Sequence, residues 1–249
     1  MKRLKAVAST GKREMVSADL TPRITTLAFD ADDTLWHNET YFQMTQARVE
    51  ELLAPFCAPE HLHEKLLATE RRNIGRYGYG VKGFTLSLIE VAIEVSESRV
   101  PASVISEIIA GGRDLLAHPV ELLPGVADTL KAVADGYALK LITKGDLLHQ
   151  EEKLAASGLG DLFAEVHVVS EKDPAVYTRC LGQSAENTMM IGNSMRSDIL
   201  PALAAGAWAT HIPFEIEWEL ERANDPQESS RFNRLENMAG LPALLSQLS

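Results

Sequence analysis

Five short apolar runs, each stopped by a polar residue, a glycine or a proline, constrain this chain more than any other feature of its sequence. They span 24–29 before Asp30, 137–142 before Thr143, 166–169 before Ser170, 188–191 before Gly192, and 208–212 before Pro213. Unbroken runs of this length belong to strands covered on both faces. Helical patterns separate them. Asp146 can cap a helix whose apolar stripe is Leu147, Leu148, Leu154 and Ala155, and Gly158 can close it. Asp173 and Pro174 open a second through Tyr177 and Leu181, and a third runs from Asp198 to Ala205 and ends at Gly206. The alternation predicts an α/β fold: a Rossmann-like, mostly parallel sheet with helices on both faces.

One stretch breaks the rhythm. From 38 to 119 the chain reads as helices only, over 40–53, 60–72, 84–95 and 104–117. An all-helical insertion after the first strand predicts a small cap domain over the sheet edge. The expected division is a tail at 1–20, a core at 21–37 and 120–249, and a cap at 38–119, with 119–125 as the return linker. With 249 residues there is enough chain to bury a core of this kind. A formal net charge of -11 argues against nucleic acid or an anionic membrane surface as partner. Nothing in the sequence has the length of apolar run that a membrane helix needs. The two cysteines, Cys57 and Cys180, lie far apart with no metal-like spacing, as in a reduced cytoplasmic protein. Lys2, Arg3, Lys5, Lys12 and Arg13 have no apolar run behind them, so the first residues read as a plain tail.

The first run ends in FDADDTLW, which places Asp30 at the carboxyl end of a buried strand and Asp32 two residues on. In extended chain, positions i and i+2 face one side, so both carboxylates look into one pocket at the rim where open α/β sheets bind ligands. Two close acids can divide the labour, one as ionised nucleophile and one as proton carrier. Asp30, Asp32 and Asp33 crowd together, and a cation is the usual relief for such crowding.

This string, an apolar strand followed by D-x-D-x-T, resembles the first motif of the haloacid dehalogenase superfamily of phosphatases. The resemblance implies an aspartyl-phosphate on Asp30 and Asp32 as general acid and base, with its carbonyl offered to Mg²⁺ and Thr34 bracing the loop. Asp33 stands where the family carries a small residue and reads as a surface acid. Thr143 in LITKGD is similar to the second motif, whose hydroxyl and next amide, here that of Lys144, hold phosphoryl oxygens. Lys172, with Pro174 and Tyr177 behind it, is similar to the third; a fixed ammonium there offsets the repulsion between a phosphoryl group and an aspartate. The fourth, IGNSMRSDI, departs from the family. Asn193 replaces the usual first acid and Asp198 supplies the second, so one of the two is expected to ligate Mg²⁺ while the other holds a bound water or Lys172. The metal set implied is Asp30, Asp32, Asn193 and Asp198.

The cap carries a literal G-x-G-x-x-G at Gly78, Gly80 and Gly83, but polar, helix-like residues precede it rather than a buried strand, so a flexible loop is the better reading than a dinucleotide site. Its Arg76, Tyr79 and Lys82 are candidates to touch substrate. His61 and His63 point apart on a helix, and 214–221 reads as a helix with Trp218 packed on the core. The function expected is Mg²⁺-dependent hydrolysis of a small phosphorylated metabolite. Its rivals are a dehalogenase or phosphotransferase of the same superfamily, a receiver domain, and a binding or regulatory protein that has lost efficient metal use at Asn193. Neither the physiological substrate nor the oligomeric state is legible.

Overall fold

The computed structural model describes residues 23–226 and 229–248; the predicted tail at 1–20 lies outside them. Six parallel strands form one sheet: β1 (Thr26–Phe29), β2 (Ala138–Lys144), β3 (Glu165–Val169), β4 (Thr188–Gly192), β5 (Trp208–His211) and β6 (Phe232–Arg234), in the order β3-β2-β1-β4-β5-β6. β1 is central, with Phe29 level with Leu141 of β2 and Ile191 of β4. The chain steps outward from β1 in both directions. A crevice therefore opens beside the carboxyl end of β1, where strand order reverses.

Alternation along the strands supplies two separate cores. Leu27, Phe29, Leu139, Leu141, Met189 and Ile191 face one layer, which α5 (Val126–Ala134) and α9 (Leu241–Gln247) complete through Leu130, Val133 and Leu245. Ala28, Ile142 and Met190 face the other, packed by α7 (Pro174–Leu181) and α8 (Leu200–Ala204). Each fully buried large aliphatic side chain stabilises the fold by roughly 1.5–3 kcal/mol before entropy is counted. Tight burial on both faces holds the strand ends, and so the site, in fixed register.

Between β1 and α5 lie four helices: α1 (Glu39–Leu53), α2 (Pro59–Tyr77), α3 (Val81–Val95) and α4 (Ala102–Leu116). They have their own core around Val49, Leu62, Leu66, Phe84, Leu88 and Ile108. The two connections to this cap pair with each other. Trp36 bridges Leu122 antiparallel, His37 N–H donates to Glu121 O at 3.0 Å, and Leu123 N–H donates to Leu35 O at 2.9 Å. No described helix is long and apolar enough to cross a membrane.

Three expectations need correction. Residues 214–221 are not a helix: they run as an irregular segment with one short 3₁₀ turn at Glu219–Glu221, and half-buried Trp218 meets the cap, through Glu70 and the Tyr79 ring, instead of packing on the core. The helix expected from Asp198 begins earlier, as a π turn over Met195–Ile199 that leads into α8. Asp33 is no surface acid. It is 7% exposed, at a positive φ of 60°, and its carboxylate accepts the backbone N–H of Asn38 at 2.8 Å and of Glu39 at 3.0 Å. It thus fastens the start of α1 to the β1 loop.

Candidate active site

Asp30 directly follows β1, and its backbone N–H still bonds Ile191 O at 2.9 Å, so the sheet holds its position. Lys172, two residues before α7, is buried with its ammonium between two acids: it donates to Asp30 Oδ1 and, at 2.7 Å, to Asp198 Oδ1. Burial opposes the charge on Lys172, but the carboxylates of Asp198 and Asp30 outweigh it and raise its pKa, so it stays an ammonium. The Asp30 pKa rises as well, which for a carboxyl favours the neutral form. Burial, then the like charge of Asp198, pushes it up to about 7 against the pull of Lys172.

The π turn explains how Asp198 reaches that spot. Ile199 N–H bonds Ser194 O at 3.2 Å, and Asp198 Oδ2 accepts the Ser194 N–H at 2.9 Å, which folds the carboxylate back over the end of β4. A Cβ at Gly192 would fall 2.4 Å from Asp198 Cγ, so only glycine fits beneath it. Buried Tyr177 supports the same turn, its hydroxyl donating to Ser197 O at 3.1 Å. His211 holds the other side through Nε2 and the Asn193 carbonyl, 2.8 Å apart.

Asn193 bears on whether a divalent cation fits. One terminal amide atom of its side chain lies 3.1 Å from Thr34 Oγ1 and 3.2 Å from both Asp30 Oδ2 and Asp32 O. With the nitrogen there, the amide can donate to these acceptors. With the oxygen there, it lies 3.2 Å from a carboxylate oxygen and 3.2 Å from a carbonyl oxygen, close to the roughly 3 Å that neighbouring ligands of one Mg²⁺ keep for bonds of about 2.1 Å. The residues therefore fit the ion, through one carboxylate, one carbonyl and one amide. Among the described residues no three His, Cys, Asp or Glu side chains are grouped to hold a metal. Both Asp198 oxygens already have partners, Lys172 and the Ser194 amide, which leaves Asn193 the better placed of the two for direct ligation.

Asp32 lines the same cavity, 26% of its side chain exposed. Trp36 Nε1 donates to its Oδ1 at 2.7 Å, Lys153 Nζ reaches the same oxygen, and Gln150 Nε2 donates to Oδ2 at 3.0 Å. Burial opposes ionisation here too, but Lys153, with the hydrogen bonds of Trp36 and Gln150, wins and lowers the pKa. The two acids of the motif are pushed apart, Asp30 up and Asp32 down. Next to them, burial and then Asp32 raise Asp33 to about 8.

Thr143, at the end of β2, is buried, and its hydroxyl accepts from Gln150 Nε2 at 2.7 Å. The Lys144 side chain joins another cluster on the wall of the same cavity, 2.6 Å from Glu221 Oε1, 2.7 Å from Ser197 Oγ and 3.8 Å from the Tyr79 ring centre. Tyr79, in the turn between α2 and α3, donates to Glu171 Oε2 at 2.8 Å and lines the cavity. Lys82 does not line it. It pairs with Asp146 at 2.8 Å on the outer seam between cap and core, and Arg76 is exposed. The glycine run is a turn, with Gly78 at φ 75° and Gly80 at φ 100° bringing the backbone toward Asp146. From Asp30 a cavity of about 480 Å³ extends into the cap, walled by Phe42, Leu66, Ile74, Phe84, Tyr79 and Trp218.

Sequence reasoning misses Gln150 and Lys153, and with them the role of Ser194. The available signal is a Gln and a Lys three apart in the helix after the second strand. It is indistinguishable there from a solvated face.

The family model for haloacid dehalogenase-like hydrolases matches residues 24–206. A solved haloacid dehalogenase-like family hydrolase from Xanthomonas campestris is 44% identical, with a TM-score of 0.81 over 93% of this chain and 94% of that one. The glyceraldehyde 3-phosphate phosphatase of Methanopyrus kandleri is 26% identical over 218 residues, 81% of this chain and 89% of that protein. The HAD-hydrolase YfnB of Bacillus subtilis, solved with bound magnesium, is 20% identical, with a TM-score of 0.60 over 90% of this chain and 99% of that one, and shares the fold. With motifs, sheet order and cap in agreement, the chain belongs to the haloacid dehalogenase-like hydrolases.

Proposed function

We propose that the chain is a Mg²⁺-dependent phosphohydrolase that cleaves a small phosphate monoester through an aspartyl-phosphate on Asp30. The observation that carries this reading is the sharing of one cavity by Asp30, held by a buried Lys172, and a second acid, Asp32. In the first step the Asp30 carboxylate attacks phosphorus, the ester P–O bond breaks, and Asp32, once protonated, gives its proton to the leaving oxygen. In the second, Asp32 takes a proton from water, the water oxygen attacks phosphorus, and the bond to Asp30 breaks to release phosphate. Lys172 stays charged throughout and offsets the repulsion between phosphoryl oxygens and Asp30. Thr143 and the Lys144 amide end β2 where a phosphoryl group beside Asp30 needs donors. Asp30, the Asp32 carbonyl and Asn193 would hold Mg²⁺, which would supply positive charge to the transferred group.

The phosphatase similarity to the Methanopyrus kandleri protein supports the same reaction class. Asn193 favours one rival. Its amide nitrogen can occupy the cation's place and orient Asp30 without metal, which suits carbon–halogen cleavage, where no leaving alcohol needs a proton. A single assay separates the two. The protein is offered 4-nitrophenyl phosphate with Mg²⁺ and with EDTA, and a 2-haloacid in parallel, beside Asp30→Asn. Phosphate release that needs Mg²⁺ and vanishes in the variant is expected. Halide release with EDTA present and no phosphate release would make it a dehalogenase.

A further inference from the structure

Asp32 is gripped by groups that the phosphatase motifs do not supply. Gln150 and Lys153 lie one turn apart on α6 (Leu147–Ser157) and both reach its carboxylate, Gln150 Nε2 at 3.0 Å from Oδ2 and Lys153 Nζ at Oδ1. The same Gln150 nitrogen lies 2.7 Å from Thr143 Oγ1 and 2.8 Å from Lys144 O, while its Oε1, buried, has no partner among the described residues. The Lys153 ammonium also meets Asn38 Oδ1 at 3.2 Å, at the residue that precedes α1. Gln150 is 3% exposed and the Lys153 side chain 11%, so neither is a solvated surface group.

We infer that Gln150 and Lys153 are positioning residues for proton transfer at Asp32, and that Lys153 couples this acid to the root of the cap. The inference rests on the phosphohydrolase reading. An aspartate free to turn about its two side-chain bonds presents its oxygen to the leaving group only part of the time. Donors on both oxygens remove that freedom, and proton transfer is sensitive to placement within an ångström. The sensitivity depends on the leaving group. Nitrophenolate departs with little help, whereas phenolate, a stronger base of nearly the same shape, needs the proton more.

The test is the ratio of kcat/KM for 4-nitrophenyl phosphate to that for phenyl phosphate, at saturating Mg²⁺. This parameter reports the first transfer, and the ratio cancels any loss of folded protein. Lys153→Met is expected to lower the phenyl ester about tenfold more than the nitrophenyl ester, in the direction set by Asp32→Asn. Gln150→Leu should do the same more weakly, and Lys153→Arg should recover part of the ratio. Equal losses on both esters in Lys153→Met and Gln150→Leu would reduce the pair to a structural role and overturn the inference, leaving the phosphohydrolase reading intact. A wild-type protein that hydrolyses neither ester overturns both.

Discussion

If the site holds Mg²⁺ as proposed, Asn193 would set how tightly, because it removes a formal charge from the place where the resemblance expects an acid. Its amide contacts Thr34, Asp30 and the Asp32 carbonyl whichever way it is turned, so it can fill the site with N–H or line it with oxygen. Asparagine thereby makes the metal-free state tolerable. An aspartate in its place would not, since a third carboxylate would face Asp30 and a carbonyl with nothing between. Asn193→Asp should therefore destabilise the metal-free protein and tighten Mg²⁺ by roughly tenfold, since ligand charge tunes affinity for hard cations. Thermal melting against Mg²⁺ concentration reads both effects at once; a titration midpoint unchanged from wild type would remove Asn193 from the ligand set. Asp33 shows the limit of reading residues singly. Next to two functional acids it looks dispensable, but nothing in the sequence says that the chain turns back so that amides 38 and 39 meet it.

At the level of elements, the strands are legible because a sheet buried on both faces writes itself as apolar runs. β6 is not: half-buried Phe232 and Asn233 and exposed Arg234, at the sheet edge, carry no such pattern. In α6 the apolar pattern points to the wrong face in the first turn. Leu147 and Leu148 are 58% and 59% exposed, while His149 and Gln150 are buried, because that turn sits on the rim of the sheet where inward means the site. The segment 213–222 misleads for a related reason. Its Trp218 faces the cap, so its spacing reports a partner far away in sequence. This segment also sets a pH dependence. Glu70 of α2 hydrogen-bonds with Trp218, and burial, then Glu39, raises its pKa from 4.5 to about 7. The folded protein therefore binds the Glu70 proton more strongly than the unfolded chain. Its contribution is full below about pH 4.5 and is lost as pH rises through about 7. Melting temperature should fall over that interval, and Glu70→Gln should flatten the fall; parallel wild-type and variant curves would show that Glu70 titrates normally.

For the molecule as a whole, charge sets how substrate arrives. The net charge is -11, and without the basic cluster in the first thirteen residues the rest of the chain is more acidic still. Among the described residues, the lysines and the arginine that line the cavity are matched: Lys172 with Asp30 and Asp198, Lys153 with Asp32, Lys144 with Glu221, and Arg222 with Glu217. On the proposed reading, a phosphate dianion would approach through a repulsive field and meet compensating charge only at short range, from Lys172 and the proposed cation. Salt screens the long-range part first, since the Debye length shrinks from about 30 Å at 0.01 M to about 8 Å at 0.15 M. Raising NaCl across that interval, with Mg²⁺ saturating, should increase kcat/KM about two- to threefold and leave kcat nearly constant. The cap adds an opposing effect with its own signature. Lys82–Asp146 ties it to the core with an exposed pair, and weakening that pair would appear in kcat instead. A kcat/KM that falls steadily with salt would mean that the few cations at the mouth outweigh the global field, and substrate capture would then have to be argued from those side chains alone.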